Sequence, residues 1–179
     1  MRHKNNKKAA PGFTLVELGI VVAIGSLLLG FAVNTGFSVF SSARAEAEID
    51  ELSGIVTNIQ RTFQRRGSYE EATQDLLIGM RVFPEARVAG NTVHNRYHGV
   101  ITASPTNLGG VNDGLALTTT GIPAAECIHI IQGVERLMRV VKVGATEVKA
   151  DGQYASDPGV MAAACRADAQ ASITFVFGR

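Results

Sequence analysis

Residues 18–43 hold no charged side chain, a stretch of 26 residues. Twenty apolar residues already span a bilayer core of about 30 Å, so this absence argues against an ordinary soluble N-terminus. Residues 13–66 also hold no proline. One unbroken helix over that span would be about 80 Å long at 1.5 Å per residue. The run is too long for the h-region of a secretory signal, which argues against removal at its far end. The chain has no nucleophile elbow, and "NLGGVNDG" lacks the lysine and spacing of a phosphate loop. It therefore reads as a non-enzyme that needs no cofactor. Internal repeats and low-complexity tracts are missing as well. A basic stripe is lacking too, which argues against direct binding of nucleic acid through phosphates.

The charge that is present is unevenly placed. Arg2, Lys4, Lys7 and Lys8 precede Gly12, which leaves 13 basic against 16 acidic residues in the remainder. A basic start ahead of an apolar run keeps the start cytoplasmic and sends the rest outward. Cys127 and Cys165, the two cysteines, then face an oxidising compartment. A disulfide is the default expectation there, and two unrelated buried thiols are the alternative. The anomaly is Glu17, an acid at the edge of the apolar run. A carboxylate near the bilayer centre costs about 2.5–3.5 kcal/mol on insertion scales, which points to a task.

After Phe40 the pattern becomes amphipathic. Ile49, Leu52, Ile55 or Val56, Ile59 and Phe63 recur at spacings of three and four, the stripe of a helix lying on a core. Arg44, Glu46, Glu48, Asp50, Glu51, Arg61, Arg65 and Arg66 lie between them and suit a solvated face, and Gly67 ends the helix. Ser68 with Glu71 reads as a capping box for a short helix through about Leu77. Residues 96–103 and 115–120 read as strands joined by the turn-rich "SPTNLGGVNDG". Pro123 opens a helix continuing to Met138. Strands follow at 139–143 and in "TEVKA", a short helix in "SDPGVMAAACRAD", and a strand at 171–177. An antiparallel sheet packed on a long helix is the α+β reading.

His94 and His98 are four apart, but "GNTVHNRYHG" reads as loop and strand and brings no third ligand type. Asp113, Asp151 and Asp157 sit in turns, where aspartate is common for local reasons, so no metal site is expected. Gly19/Ala23, Ser26/Gly30 and Ala32/Gly36 are small residues four apart, which allow close helix approach in lipid.

"GFTLVEL" answers the question that Glu17 raises. Basic leader, glycine, an aromatic or apolar residue and a glutamate five positions into the mature chain closely resemble the type IV pilin signature. The resemblance implies that a prepilin peptidase cuts between Gly12 and Phe13 and methylates the new Phe13 amine. It also implies that Glu17 of an incoming subunit pairs with Phe13 of the previous one and sets the register of a filament. The physics fits. A freed α-amino group has a pKa of about 7.7–8, a helix N-terminus carries partial positive charge, and a buried carboxylate is much less costly paired than unpaired.

"RRGSYEEAT", "IPAAECIHI" and "AACRADAQASITFVF" resemble the heads of type IVb major pilins, in particular PilS-type pilins. There the resemblance implies a disulfide joining Cys127 to Cys165 around a surface-variable region. The leader of 12 residues is shorter than is common in type IVb pilins, and Phe13 is the residue usual in type IVa pilins. The proline that many type IVa pilins carry near the position of Asn34 is missing, and Gly25, Gly30 and Gly36 could loosen the helix instead.

The expected architecture is the type IV pilin fold: leader 1–12, membrane and filament-core helix 13–40, amphipathic continuation 41–66, and a head 67–179 with a disulfide-bounded region 127–165. The expected function is that of a major pilin assembled into an extracellular fibre for adhesion, aggregation or conjugative mating. Its partners would be copies of itself, the prepilin peptidase, the bacterial inner membrane before assembly, and the pilus assembly machinery there. The alternatives are a pseudopilin of a type II secretion system, a minor pilin, or a single-span anchored enzyme or receptor. The disulfide loop and head size favour the major pilin over the pseudopilin, and the missing catalytic constellation weighs against the enzyme.

Overall fold

The structure, a computed structural model, describes residues 14–178, with side-chain environments for 14–28 and 41–178. Among these residues the chain forms four α-helices and seven strands, in the order α1 (Leu15–Phe63), α2 (Gln74–Gly79), β1 (Val88–Ala89), β2 (Thr92–His94), β3 (Val100–Thr106), β4 (Gly114–Pro123), α3 (Ala124–Val134), β5 (Val140–Val143), β6 (Thr146–Lys149), α4 (Pro158–Arg166) and β7 (Gln170–Gly178). It divides into two compact units after Phe40.

The unit from Ser41 is α+β. Its strands form one antiparallel sheet in the order β1-β2-β3-β4-β7-β5-β6. The strand latest in sequence therefore lies between β4 and β5. Burial alternates along the central strands, so Leu115 and Leu117 of β4 and Ile173, Phe175 and Phe177 of β7 face one way into the core. The stripe Ile49, Leu52, Ile55, Val56, Ile59 and Phe63 joins them in a single apolar cluster. Both Ile55 and Val56 are buried. Burial of such side chains contributes about 1.5–3 kcal/mol each, which is why an amphipathic helix of modest propensity stays on this sheet.

α3 approaches α1 at Gly133. A Cβ there would lie 2.5 Å from Cδ1 of Ile49 and 2.8 Å from both of its γ carbons, so no other residue type fits without movement. Gly99 plays the same part at the β3–β4 crossing, where a Cβ would run into the Thr120 carbonyl.

Several expectations need correction. α1 ends at Phe63, with a turn over 64–67, rather than continuing to Gly67. The cap of α2 is Thr73, whose Oγ1 accepts from Leu76 N–H, not Ser68. Tyr69 is the reason: its N–H donates to the Asn112 carbonyl at 2.7 Å and its ring is buried between Phe63 and Phe177. That anchorage takes the backbone out of helical geometry, and Glu71 pairs with Arg66 instead. β3 begins at Val100, because 95–99 form a turn around the Asn95 side chain. Its Oδ1 accepts from Tyr97 N–H and Gly99 N–H, and its Nδ2 donates to Thr119 Oγ1 and the Thr120 carbonyl. β1 and β2 are additional short strands, and α3 gives way to a 3-10 turn at Glu135–Leu137.

Glu48 and Glu51 overturn the solvated-face reading. Glu48 is 0% exposed and the Glu51 side chain only 9% exposed. The segment preceding β3 folds over that side of α1. Glu51 makes ion pairs with Arg87 at 3.3 Å and Arg96 at 2.8 Å, and Glu48 Oε2 accepts from Arg96 N–H at 3.0 Å. Arg44, Glu46, Asp50, Arg61, Arg65 and Arg66 are exposed as expected.

Candidate functional site

Two regions could carry function, the start of α1 and the disulfide-bounded part of the head. Gly12 and Phe13 lie outside the described residues. The helix opens with Thr14, whose Oγ1 accepts from Glu17 N–H at 3.3 Å. Thr14 and Glu17 hold the first and fourth positions of "TLVE", the spacing of a capping box. Glu17 also stands in the first turn, where a carboxylate meets the positive end of the helix dipole. This local role is legible in the spacing of Thr14 and Glu17, but the apolar run that follows masks it in the sequence reading. The Glu17 side chain is exposed.

From Leu15 to Leu28 the large apolar side chains are exposed, Leu15 by 88%. Such a surface is not stable bare in water. Among the described residues no helix is long and apolar enough to cross a membrane. The side chains of Gly30, Ala32, Asn34 and Gly36 lie outside the described ones.

In the head, Cys127 of α3 and Cys165 of α4 form a disulfide with their Cα atoms 5.7 Å apart, and both are fully buried. β5, β6 and α4 lie within the closed segment. Its exposed loop 150–157 has little apolar surface to bury and is ordered by polar ties. Ser156 N–H donates to Glu135 Oε2 at 2.8 Å, and Asp157 N–H to the Val148 carbonyl at 2.8 Å. Lys149 is 3% exposed, with Nζ donating to the Glu135 and Met138 carbonyls at 2.5 and 2.7 Å. Desolvation pulls its ammonium below the usual lysine range.

The other candidates resolve into structural work. His94 lies on β2, while His98 is exposed in the following turn with φ 64°. Asp113 accepts from Leu108, Gly109 and Gly110 N–H, and these bonds hold its carboxyl down at about 2. Asp151 pairs with Arg139 through two bonds of 2.8 and 2.7 Å. Asp157 caps α4 by accepting from Val160 N–H at 2.9 Å. Among the described residues no group of three or more His, Cys, Asp or Glu could hold a metal. Tyr97 is pushed up to about 12 by burial and then by the Glu126 and Glu48 carboxylates. Arg44 sits 5.7 Å over the Tyr97 ring.

The fold of the head recurs in known proteins. A family model described as PilS N terminal matches residues 42–177. The chain belongs to the PilS family. The type IVb pilin from Salmonella typhi has the same fold, with a TM-score of 0.60, 19% identity, and coverage of 75% of this chain and 99% of that one. TcpA, a type IV pilin from Vibrio cholerae El Tor biotype, superposes with a TM-score of 0.51 at 14% identity, covering 73% of this chain and 98% of that one. No curated protein sequence matches the chain. The PilS member thus has the type IV pilin fold and is type IVb-like, and proteins of this family and fold are structural.

Proposed function

We propose that the chain is the precursor of a major pilin: it is cut between Gly12 and Phe13 by a prepilin peptidase, methylated on Phe13 and polymerised into an extracellular pilus. The observation that carries the proposal is the exposed apolar surface of α1 from Leu15 to Leu28. It needs lipid or neighbouring helices to cover it. The run continues without charge through residue 43, which supports an inner-membrane stage before assembly, the head facing outward. The assembly machinery there would then move the helix from lipid into a bundle of its copies.

In that bundle the exposed Glu17 carboxylate meets the Phe13 amine of an adjacent subunit. An ion pair buried among apolar helices fixes register because every wrong register leaves a charge unpaired. The pilus would serve adhesion, aggregation or mating. Intact-mass measurement of the subunit in sheared surface fibres tests the proposal. The expected mass is that of residues 13–179 plus one methyl group. Fibres built of subunits that retain residues 1–12 would refute it.

A further inference from the structure

The disulfide-bounded region carries a groove of about 460 Å³ whose lining includes Arg136, Met138, Lys149, Tyr154 and the Arg139–Asp151 pair. That volume is within the usual range for small-ligand sites, about 300–1,000 Å³. Three of these side chains are cationic and Asp151 is the anion among them, so the groove favours a negative ligand. The charges are not equivalent. Arg139 is held by Asp151, and Lys149, 3% exposed, gives two of its three hydrogens to carbonyls. Arg136 makes no ion pair among the described residues. Its guanidinium presents a planar fork suited to a carboxylate.

Tyr154 is 80% exposed, yet its loop is not loose. Ala150 N–H donates to Gln153 Oε1 at 2.8 Å, and Gln153 N–H to the Ala150 carbonyl at 3.1 Å. An aromatic plate is thus presented to solvent from an ordered turn beside an unpaired guanidinium, so the loop backbone has little freedom left to lose on binding. The plate suits a ligand with a C–H face, while Asp151 and Gln153 at the same groove offer partners for hydroxyls. A peptide anchor would need a deep desolvated pocket, and Tyr154 stands at the surface instead.

We infer that this groove binds a carboxylate-bearing sugar, with its carboxylate on Arg136 and its C–H face on the Tyr154 ring. This goes beyond the filament reading and does not depend on assembly. Binding should weaken with added salt, since the guanidinium is solvent-facing.

The test uses the full chain in nonionic detergent, with N-acetylneuraminic acid and glucuronic acid as probes and their methyl esters as neutral controls. Saturation-transfer difference NMR should show transfer to ring C–H protons of at least one acid, with its ester about tenfold weaker or more, the worth of a charge-assisted hydrogen bond. Tyr154→Ala and Arg136→Gln should each weaken that binding by about tenfold or more with unchanged melting temperature, because both side chains are exposed. Equal binding of acid and ester, binding indifferent to both substitutions, or no transfer to either acid would overturn the inference. So would saturation by a tetraglutamate peptide when neither acid binds.

Discussion

Replacing Gly133 by alanine is the sharpest probe of how α3, and with it Cys127, is seated on α1. In an isolated helix the change should stabilise by roughly 0.5–1 kcal/mol, because glycine loses more backbone freedom on folding. Here the new methyl would lie 2.5–2.8 Å from three carbons of Ile49. Both γ carbons branch from the Ile49 Cβ, so a change of rotamer withdraws one only by swinging the other in. Overpacking of this kind costs about 1–3 kcal/mol, and the clash outweighs the propensity gain by about 1–2 kcal/mol. For a unit the size of the head that corresponds to a fall in Tm of roughly 3–8 °C. Thermal melts of residues 41–179, followed by circular dichroism, read it directly. Ile49→Ala alone should cost about 2–5 kcal/mol by leaving a cavity. The double variant should be more stable than the sum predicts by about 0.5–3 kcal/mol, since the methyl introduced at position 133 enters the space vacated. A rise in Tm for Gly133→Ala, or strict additivity with Ile49→Ala, would refute the packing argument.

Three further outcomes are expected. Glu48 is raised above the ordinary carboxyl value, by burial first and by the Glu51 charge, against the Arg96 N–H and the Arg87 and Arg96 charges. A raised folded pKa means the folded state holds the proton longer, so head stability falls as pH rises from about 4.5 toward the raised value. Glu48→Gln should flatten that slope in melts run between acid and neutral pH, and an unchanged slope would show that another group is responsible. Cys127→Ser should destabilise the head by about 4 kcal/mol on the chain-entropy model. Denaturant titration checks this, and Cys165→Ser should match it because the two share one bond. Glu17→Ala should still enter the membrane but fail to give fibres in a strain lacking the wild-type subunit, scored by electron microscopy. Normal piliation would refute the pairing with Phe13.

What could be read from the residues was whatever depends on local period or short-range chemistry. The stripe from Ile49 to Phe63, the hairpin loop between β3 and β4, the Asp157–Pro158 start of α4 and the final strand all announce themselves within a few positions. What could not be read depends on segments distant in sequence. Glu48 and Glu51 look like solvated-face residues until the segment around Arg87 and Arg96 covers them. Ser68 and Glu71 have the spacing of a cap, but the burial of Tyr69 against Phe63 and Phe177 overrides it. Of the candidate site, the two cysteines were visible from count and compartment. The Arg136–Tyr154 groove was not, because neither residue belongs to a motif.

The central place of β7 also governs when the head can form. Without Gln170–Gly178, the sheet is two separate ladders, β1 to β4 on one side and β5 with β6 on the other. During synthesis the earlier strands alone cannot close the sheet, because the strand that joins them is the latest to arrive. Loop closure over long sequence separations is slow, and exposed strand edges aggregate while they wait. The head therefore closes only once its last strand is present: a chain interrupted before Gln170 keeps two open edges, the sides of β4 and β5 that β7 would pair.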